Sequence, residues 1–450
     1  MTSLSDLFAR VDDAYDEIIG LEQALVRIPT VNTGFMPTGD ETKVCRFVSD
    51  KLASEGIEGE ILESAPGRGN YFARLKGRGQ GPTLLYMAHT DVVPVEMEDE
   101  WICPPFSAEI IDGRLYGRGS SDCKGLLTCQ MMAMIILKRA GVPLQGDLAL
   151  AACADEEAGG KYGVGWLVEN HPQRLKADFC INEGGGDVVQ RKGAPAYLFG
   201  IGEKGRLEVY ITVKGVPCHA STPWNGVNAL TRASEVLKRL DEYKPEIDVS
   251  LEIFGHLKSL GIDEDPTPEN IDLIAEELAQ RDAQMASRLR GLSRMTVSAT
   301  MIEGGIKSNS IPSSCRITCD VRTLPHQDEA YVRQEIEKMV QGIPDVEVEI
   351  DYTAVPSMAP YDTDFALKVR NATEQSLDGS EAVWLPTFTT GFTDSRFLRP
   401  LGTLVYGFQV SHPEDSAALA NIHGTNESVD VRSLVLGTKM LIALAVDVLG

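Results

Sequence analysis

No stretch of this 450-residue chain stays apolar for the roughly 20 residues that a membrane span needs. Basic charge is also short: 42 Lys and Arg stand against 66 Asp and Glu, a formal net charge of −24. Nucleic acid and anionic membrane surfaces are therefore not expected partners. Paired CxxC cysteines are missing. The nine cysteines are odd in number and scattered, several in apolar context such as Cys153 and Cys180. They read as reduced, buried thiols and not as a disulfide framework. Residues 1–17 lack a basic start followed by an apolar block, so no signal peptide is read and a cytoplasmic location is expected. There is no internal repeat, no low-complexity tract and no Gly-Lys-Ser/Thr phosphate loop. One dinucleotide-like run, Gly200-Ile201-Gly202-Glu203-Lys204-Gly205, leads into an alternating strand, where a pyrophosphate site needs a helix N-terminus. Nucleotide binding is excluded, and these glycines are expected to form an interdomain turn.

What remains is an ordinary globular composition, 43% apolar and 24% charged. The length exceeds one ordinary core, so two domains are expected. Up to about residue 205, apolar strands alternate with amphipathic helices: helices at 4–26, 42–54 and 123–140, buried strands at 84–89, 147–154 and 177–182. This predicts a mostly parallel sheet with helices on both faces. From Arg206 the pattern changes. Residues 206–213 alternate as a half-buried antiparallel strand does, and strands at 296–304, 315–322 and 345–352 accompany helices at 225–240 and 329–340. Strand–helix alternation returns after Phe365. The fold class is thus α/β, with residues 1–205 and 355–450 forming one discontinuous domain. A smaller α+β domain, 206–354, interrupts it and carries a weakly helical insertion at about 243–292.

The chemistry-bearing residues gather at predicted strand ends and loops. The apolar run 84–88 delivers His89 and, two residues on, Asp91. Positions i and i+2 of an extended chain face the same way, so Asp91 can orient a metal-binding imidazole. The glycine-rich loop 117–125 presents Asp122, which reads either as a helix N-cap or as a carboxylate with an oxygen for each of two ions. Asp155-Glu156-Glu157 closes a buried strand, where adjacent acids are costly unless neutralised. Its alternative is a solvated turn. Glu183 ends the next strand, and His423 lies in a Gly- and Asn-rich loop. Two histidines and three carboxylates suit Zn²⁺, and a shared aspartate would place two ions about 3.5–4 Å apart.

In order and composition, these motifs resemble the dinuclear zinc hydrolases that include aminoacylase, acetylornithine deacetylase, succinyl-diaminopimelate desuccinylase and glutamate carboxypeptidase. The resemblance runs from Leu25 to the end. It implies two Zn²⁺ per subunit, with Co²⁺ or Mn²⁺ as possible substitutes: one held by His89, Asp122 and Glu183, the other by Asp122, Glu157 and His423. It implies Glu156 as general base, Asp91 as the partner of His89, and His219, in the run 215–229, as an oxyanion donor from a lid. Asn309, Arg322 and Arg396 fall at positions that bind substrate polar groups. The expected reaction is hydrolysis of an amide in a dipeptide or short peptide, the alternative an N-acyl-amino-acid deacylation at the same metal site. A homodimer through the lid is expected, although the long 243–292 segment departs from the plain deacylases and leaves open whether His219 acts within its own chain.

Overall fold

A computed structural model of the chain describes residues 2–189 and 194–450. Its larger sheet has ten strands. The middle of that sheet runs Asp147–Cys153, Thr83–His89, Phe179–Asn182, Leu404–Gly407, each pair parallel. Antiparallel strands Gly69–Leu75 and Gly59–Glu63 extend one side. The alternation of side chains explains why helices cover both faces. Leu84, Tyr86 and Ala88 join the core that contains helices Gly125–Ala140 and Val431–Leu449. Leu85 and Met87 point the other way, into a second core with Val164, Leu167 and Leu398. The mostly parallel α/β sheet expected from the strand–helix alternation is therefore present, with a separate lid sheet.

That lid sheet has four antiparallel strands in the order Thr296–Gly304, Ser314–Thr323, Gly205–Lys214, Val346–Ala354. Leu207, Val209, Ile211 and Val213 face helices Ala229–Asp241 and Glu329–Val340 across a core of its own. Intervening residues of the same strand stay partly exposed.

Two expectations about how the domains join need correction. The glycines at 200–205 do not form a turn. Strand Ala196–Glu203 of the large sheet runs on into Gly205–Lys214 of the lid with only Lys204 between them. Gly205 is needed for close approach: a Cβ there would lie 2.3 Å from Thr323 Oγ1. The other concerns the segment 243–292, read as part of the lid. Its 3-10 helix Glu252–Leu260 and helices Ile271–Ala279 and Ala283–Leu292 bury Phe254, Leu257, Ile274 and Leu289 in the core of the larger sheet. The apolar spacing foretold a buried face, but periodicity does not say which surface will receive it. The single N-terminal helix also divides, into Leu4–Asp13 and Tyr15–Val26. Among the described residues, no helix is long and apolar enough to cross a membrane.

Candidate metal centre and active site

Three neighbouring parallel strands end on one side of the large sheet and deliver most of the centre. His89 is the last residue of its strand, Glu183 directly follows Phe179–Asn182, and Asp155, Glu156 and Glu157 lie just beyond Asp147–Cys153. This is where open α/β sheets place their ligands. His423 comes from the loop before strand Ser428–Asp430. That strand pairs with Arg114–Tyr116 of the 109–116 hairpin. Asp112 and Gly113 turn the hairpin with positive φ, as an Asp-Gly two-residue turn requires.

Asp122 lies between the two imidazoles. Its Oδ1 is 2.8 Å from His89 Nε2 and its Oδ2 3.2 Å from His423 Nε2. Glu183 Oε2 approaches His89 Nε2 at 3.5 Å, and Glu157 Oε1 is 3.2 Å from His423 Nε2. Two ligand groups result, His89 with Asp122 and Glu183 (Cys123 is adjacent), and Asp122 with Glu157 and His423. Within each, the donor atoms all lie within 4.8 Å of one another. The N-cap alternative for Asp122 fails, because the helix starts at Gly125 with Lys124 in the cap position, and both Asp122 carboxylate oxygens face the imidazoles.

Charge tells the same story. Burial, then Glu183, holds the Glu156 carboxyl well above the usual carboxylate range. Burial pushes Glu183 up to about 8. Hydrogen bonds to Asp122 and Glu157 push His423 up to about 10. Glu156 Oε1 is buried without a hydrogen-bond partner. Raised glutamates, imidazoles driven towards the cation and an orphaned carboxylate oxygen suit a site built around positive charge. Imidazole and carboxylate donors fit a divalent cation of the Zn²⁺, Co²⁺ or Mn²⁺ type.

Asp91 does more than orient His89. The nearer partner of His89 Nδ1 is the Asp91 backbone carbonyl at 2.9 Å, and the carboxylate stands 3.6 Å away. That carboxylate accepts from the backbone N–H of Glu156 at 3.1 Å, of Glu157 at 3.2 Å and from Asn32 Nδ2 at 2.8 Å. It thereby anchors the turn that carries both acids. Three supports had escaped sequence reading. Buried Arg68 reaches Asp155 Oδ1 and Glu41 Oε1, each at 2.7 Å. Asn32 Nδ2 also reaches Asp155 Oδ1 at 3.1 Å. Glu427 accepts from the backbone N–H of Gly119, Ser121 and Asp122 at 3.0–3.1 Å and from Arg118 Nη1 at 2.6 Å. Arg68 and Glu427 show in the sequence only as charges in loop segments and Asn32 only as a lone amide, and none of these names a partner.

A cleft of about 590 Å³ opens over the centre and is lined by Asp122, Glu156, Glu157, Glu183, His423 and Arg322, among others. The remaining expected residues stand elsewhere. Arg396 is buried, stacked 4.5 Å from the Phe392 ring centroid and 4.4 Å from that of Phe397. Its guanidinium donates to the carbonyls of Thr393 and Gly159. It braces the loop following Glu157 and does not line the cleft. Exposed His219 and Asn309 lie on the lid and do not line the cleft of their own chain.

The sequence profile described as peptidase family M20/M25/M40 matches residues 85–447. A probable succinyl-diaminopimelate desuccinylase of Staphylococcus aureus is 28% identical over 340 residues, covering 74% of each protein. Among solved structures, the metallo-carboxypeptidase Sso-CP2 of Sulfolobus solfataricus superposes with a TM-score of 0.72 at 20% identity, covering 96% of this chain and 98% of its own. Human carnosine dipeptidase 1 superposes with a TM-score of 0.70 at 16% identity and 99% coverage of both.

Proposed function

We propose, from the premise that this chain belongs to peptidase family M20/M25/M40, that it cleaves the amide bond of a dipeptide or short peptide, with Glu156 as general base. Membership already makes it a metal-dependent amide hydrolase. The observation that carries the two-metal centre with Glu156 as its base is Asp122, shared between two ligand groups, with the unpartnered Glu156 Oε1 beside them in the cleft. In this reading His89, Asp122 and Glu183 hold one Zn²⁺, and Asp122, Glu157 and His423 the other.

When bound, two such ions supply a polarised amide carbonyl and a water acidic enough to lose its proton near neutral pH. Glu156 Oε1 takes that proton and returns it to the leaving amine nitrogen. Asp91 keeps Glu156 and Glu157 in place through their backbone N–H groups. Arg322 lines the cleft and takes the substrate carboxylate. His219 donates to the oxyanion from a lid. Because His219 stands outside the cleft of its own chain, the reading includes a homodimer through the lid, in which the histidine serves the partner's cleft. Nine free thiols favour a reducing compartment, the cytoplasm.

The desuccinylase relative favours a second reading, N-acyl-amino-acid deacylation at the same centre. The deciding experiment is a zinc-loaded screen of dipeptides against N-acetyl, N-succinyl and N-carbamoyl amino acids. Peptide turnover that chelation abolishes and Zn²⁺, Co²⁺ or Mn²⁺ restores is the expected result. Turnover of acyl amino acids alone selects the second reading. E156Q should retain its metal and lose turnover by about three decades or more. Normal hydrolysis by that variant removes Glu156 from the base role.

A further inference from the structure

The cleft is lined by three arginines from three elements: Arg206 and Arg322 on adjacent lid strands, and Arg288 on helix Ala283–Leu292 of the insertion. Arg206 and Arg322 are direct neighbours in register and share one carboxylate. Asp320 accepts from Arg322 Nε at 2.7 Å and from Arg206 Nε at 3.2 Å. Arg206 also stands 3.6 Å from Glu208. Arg288 is held far more loosely. Its polar contacts among the described residues are Thr387 Oγ1 at 3.4 Å and Asp187 Oδ2 at 3.5 Å, both at the outer edge of hydrogen-bond range. A guanidinium has five N–H donors, so most of this fork is still available.

Its backbone, by contrast, is fixed. Asp282 caps the helix through the Met285 N–H, and Met285, Leu289 and Leu292 are buried in the large core. At the other end of the helix the Lys204 ammonium donates to the carbonyls of Gly291 and Arg294 at 2.5 and 2.7 Å. Lys204 is itself brought down to about 7, by burial first and then by Arg322 and Arg294. Arg288 has 23% of its side chain exposed. At such a half-desolvated position a charge-assisted pair is worth more than on the open surface.

We propose that Arg288 is a specificity residue that binds a second carboxylate of the substrate, so that the preferred amide carries two carboxylates, the other being taken by Arg322. This rests on the amide-hydrolase reading above and narrows its substrate class. The second carboxylate has two chemical sources, a dicarboxylic acyl group or the side chain of Asp or Glu in a peptide.

Matched pairs separate them: an N-succinyl against an N-butyryl amino acid, and a Glu-containing against a Gln-containing dipeptide. The quantity read is the ratio of kcat/KM within each pair, for wild type, R288Q and R288K. Any loss of folded enzyme cancels in that ratio. In R288Q at least one ratio should fall by about 30-fold, with R288K in between. A fall in the first pair places the carboxylate on the acyl group, and a fall in the second places it on a side chain. Both ratios staying within about threefold of wild type overturns the proposal. Should the wild type hydrolyse none of the four, the peptide and acyl-amino-acid substrate readings fail by themselves. Arg288 is then judged by thermal protection with glutarate against butyrate. Glutarate protection reduced in R288Q supports the carboxylate site, and equal protection of wild type and R288Q overturns it.

Discussion

The carboxylate of Asp91 sits under three donors, two of them the backbone N–H groups of the residues proposed as base and ligand. Replacing it by Asn keeps the shape and one acceptor oxygen but turns an NH₂ group towards a backbone N–H. D91N should therefore fold and melt within a few degrees of wild type, while metal affinity and kcat each fall by about 10–100-fold. Metal titration and steady-state kinetics on one preparation test this. An unchanged metal affinity would leave the carboxylate no part in holding the site. The same residue marks how far the sequence could be read. His89, Asp122, Glu157, Glu183 and His423 were legible because metal ligands come from a short set of residue types, and here each sits at a predicted strand end or in a loop. Asn32, Arg68 and Glu427 were not. Their partners lie 59, 87 and 309 residues away in sequence, at Asp91, Asp155 and Arg118, and only the folded sheet brings them together. Arg396 misled for a related reason, since a guanidinium suited to a substrate carboxylate serves equally well for backbone carbonyls.

Among the elements, the continuous chain from Ala196–Glu203 into Gly205–Lys214 joins the two sheets, and Lys204 is its one residue outside both strands. Alternation made the lid strand visible in the sequence, whereas Ala196–Glu203, buried along its whole length, does not alternate and is not legible as a strand. The pattern could not show that no turn separates them, because glycine serves a turn and a close approach equally well. Nor could the helical spacing of 243–292 reveal its seat on the large core. Lys204 ties these elements together, and its titration gives a prediction with a definite sign. Its ammonium ordinarily titrates at 10.5 and here at about 7, chiefly because burial disfavours the charge. Between those values the unfolded chain binds the proton and the folded chain does not, so this group makes stability rise with pH across that window. The difference in Tm between wild type and K204M should grow by a few degrees from about pH 7 to about pH 9.5. Taking the difference removes the cysteines and tyrosines that titrate in the same range. A pH-independent difference would mean that the ammonium is not desolvated in the fold.

For the molecule as a whole, the lid has an apolar surface that its own chain leaves uncovered. Thr296–Gly304 is an edge strand exposed along most of its length. Ile306 and Trp224, elsewhere on the lid, are 98% and 77% exposed. A long exposed edge strand is a surface on which another chain can pair, and exposed Ile306 follows closely on its end. His219 belongs to the same lid, with Nδ1 held by Ser221 Oγ at 2.7 Å. In the proposed dimer its ring serves the partner's cleft, and that arrangement can be tested without a structure of the assembly. H219A supplies an intact Glu156 and lacks the oxyanion donor, whereas E156Q supplies the donor and lacks the base. Each variant alone should be nearly inactive. Mixed in equal amounts and allowed to exchange subunits, half the dimers are mixed, and one of the two clefts in each regains both groups. Activity should then recover to about a quarter of wild type. It should not recover when a charge placed at Ile306 prevents pairing, because both groups must meet in one cleft. If mixed dimers form, as read by differently tagged subunits, and activity stays at the level of the separate variants, His219 does not act across the interface, and the lid would have to close on its own chain to bring the histidine to the substrate.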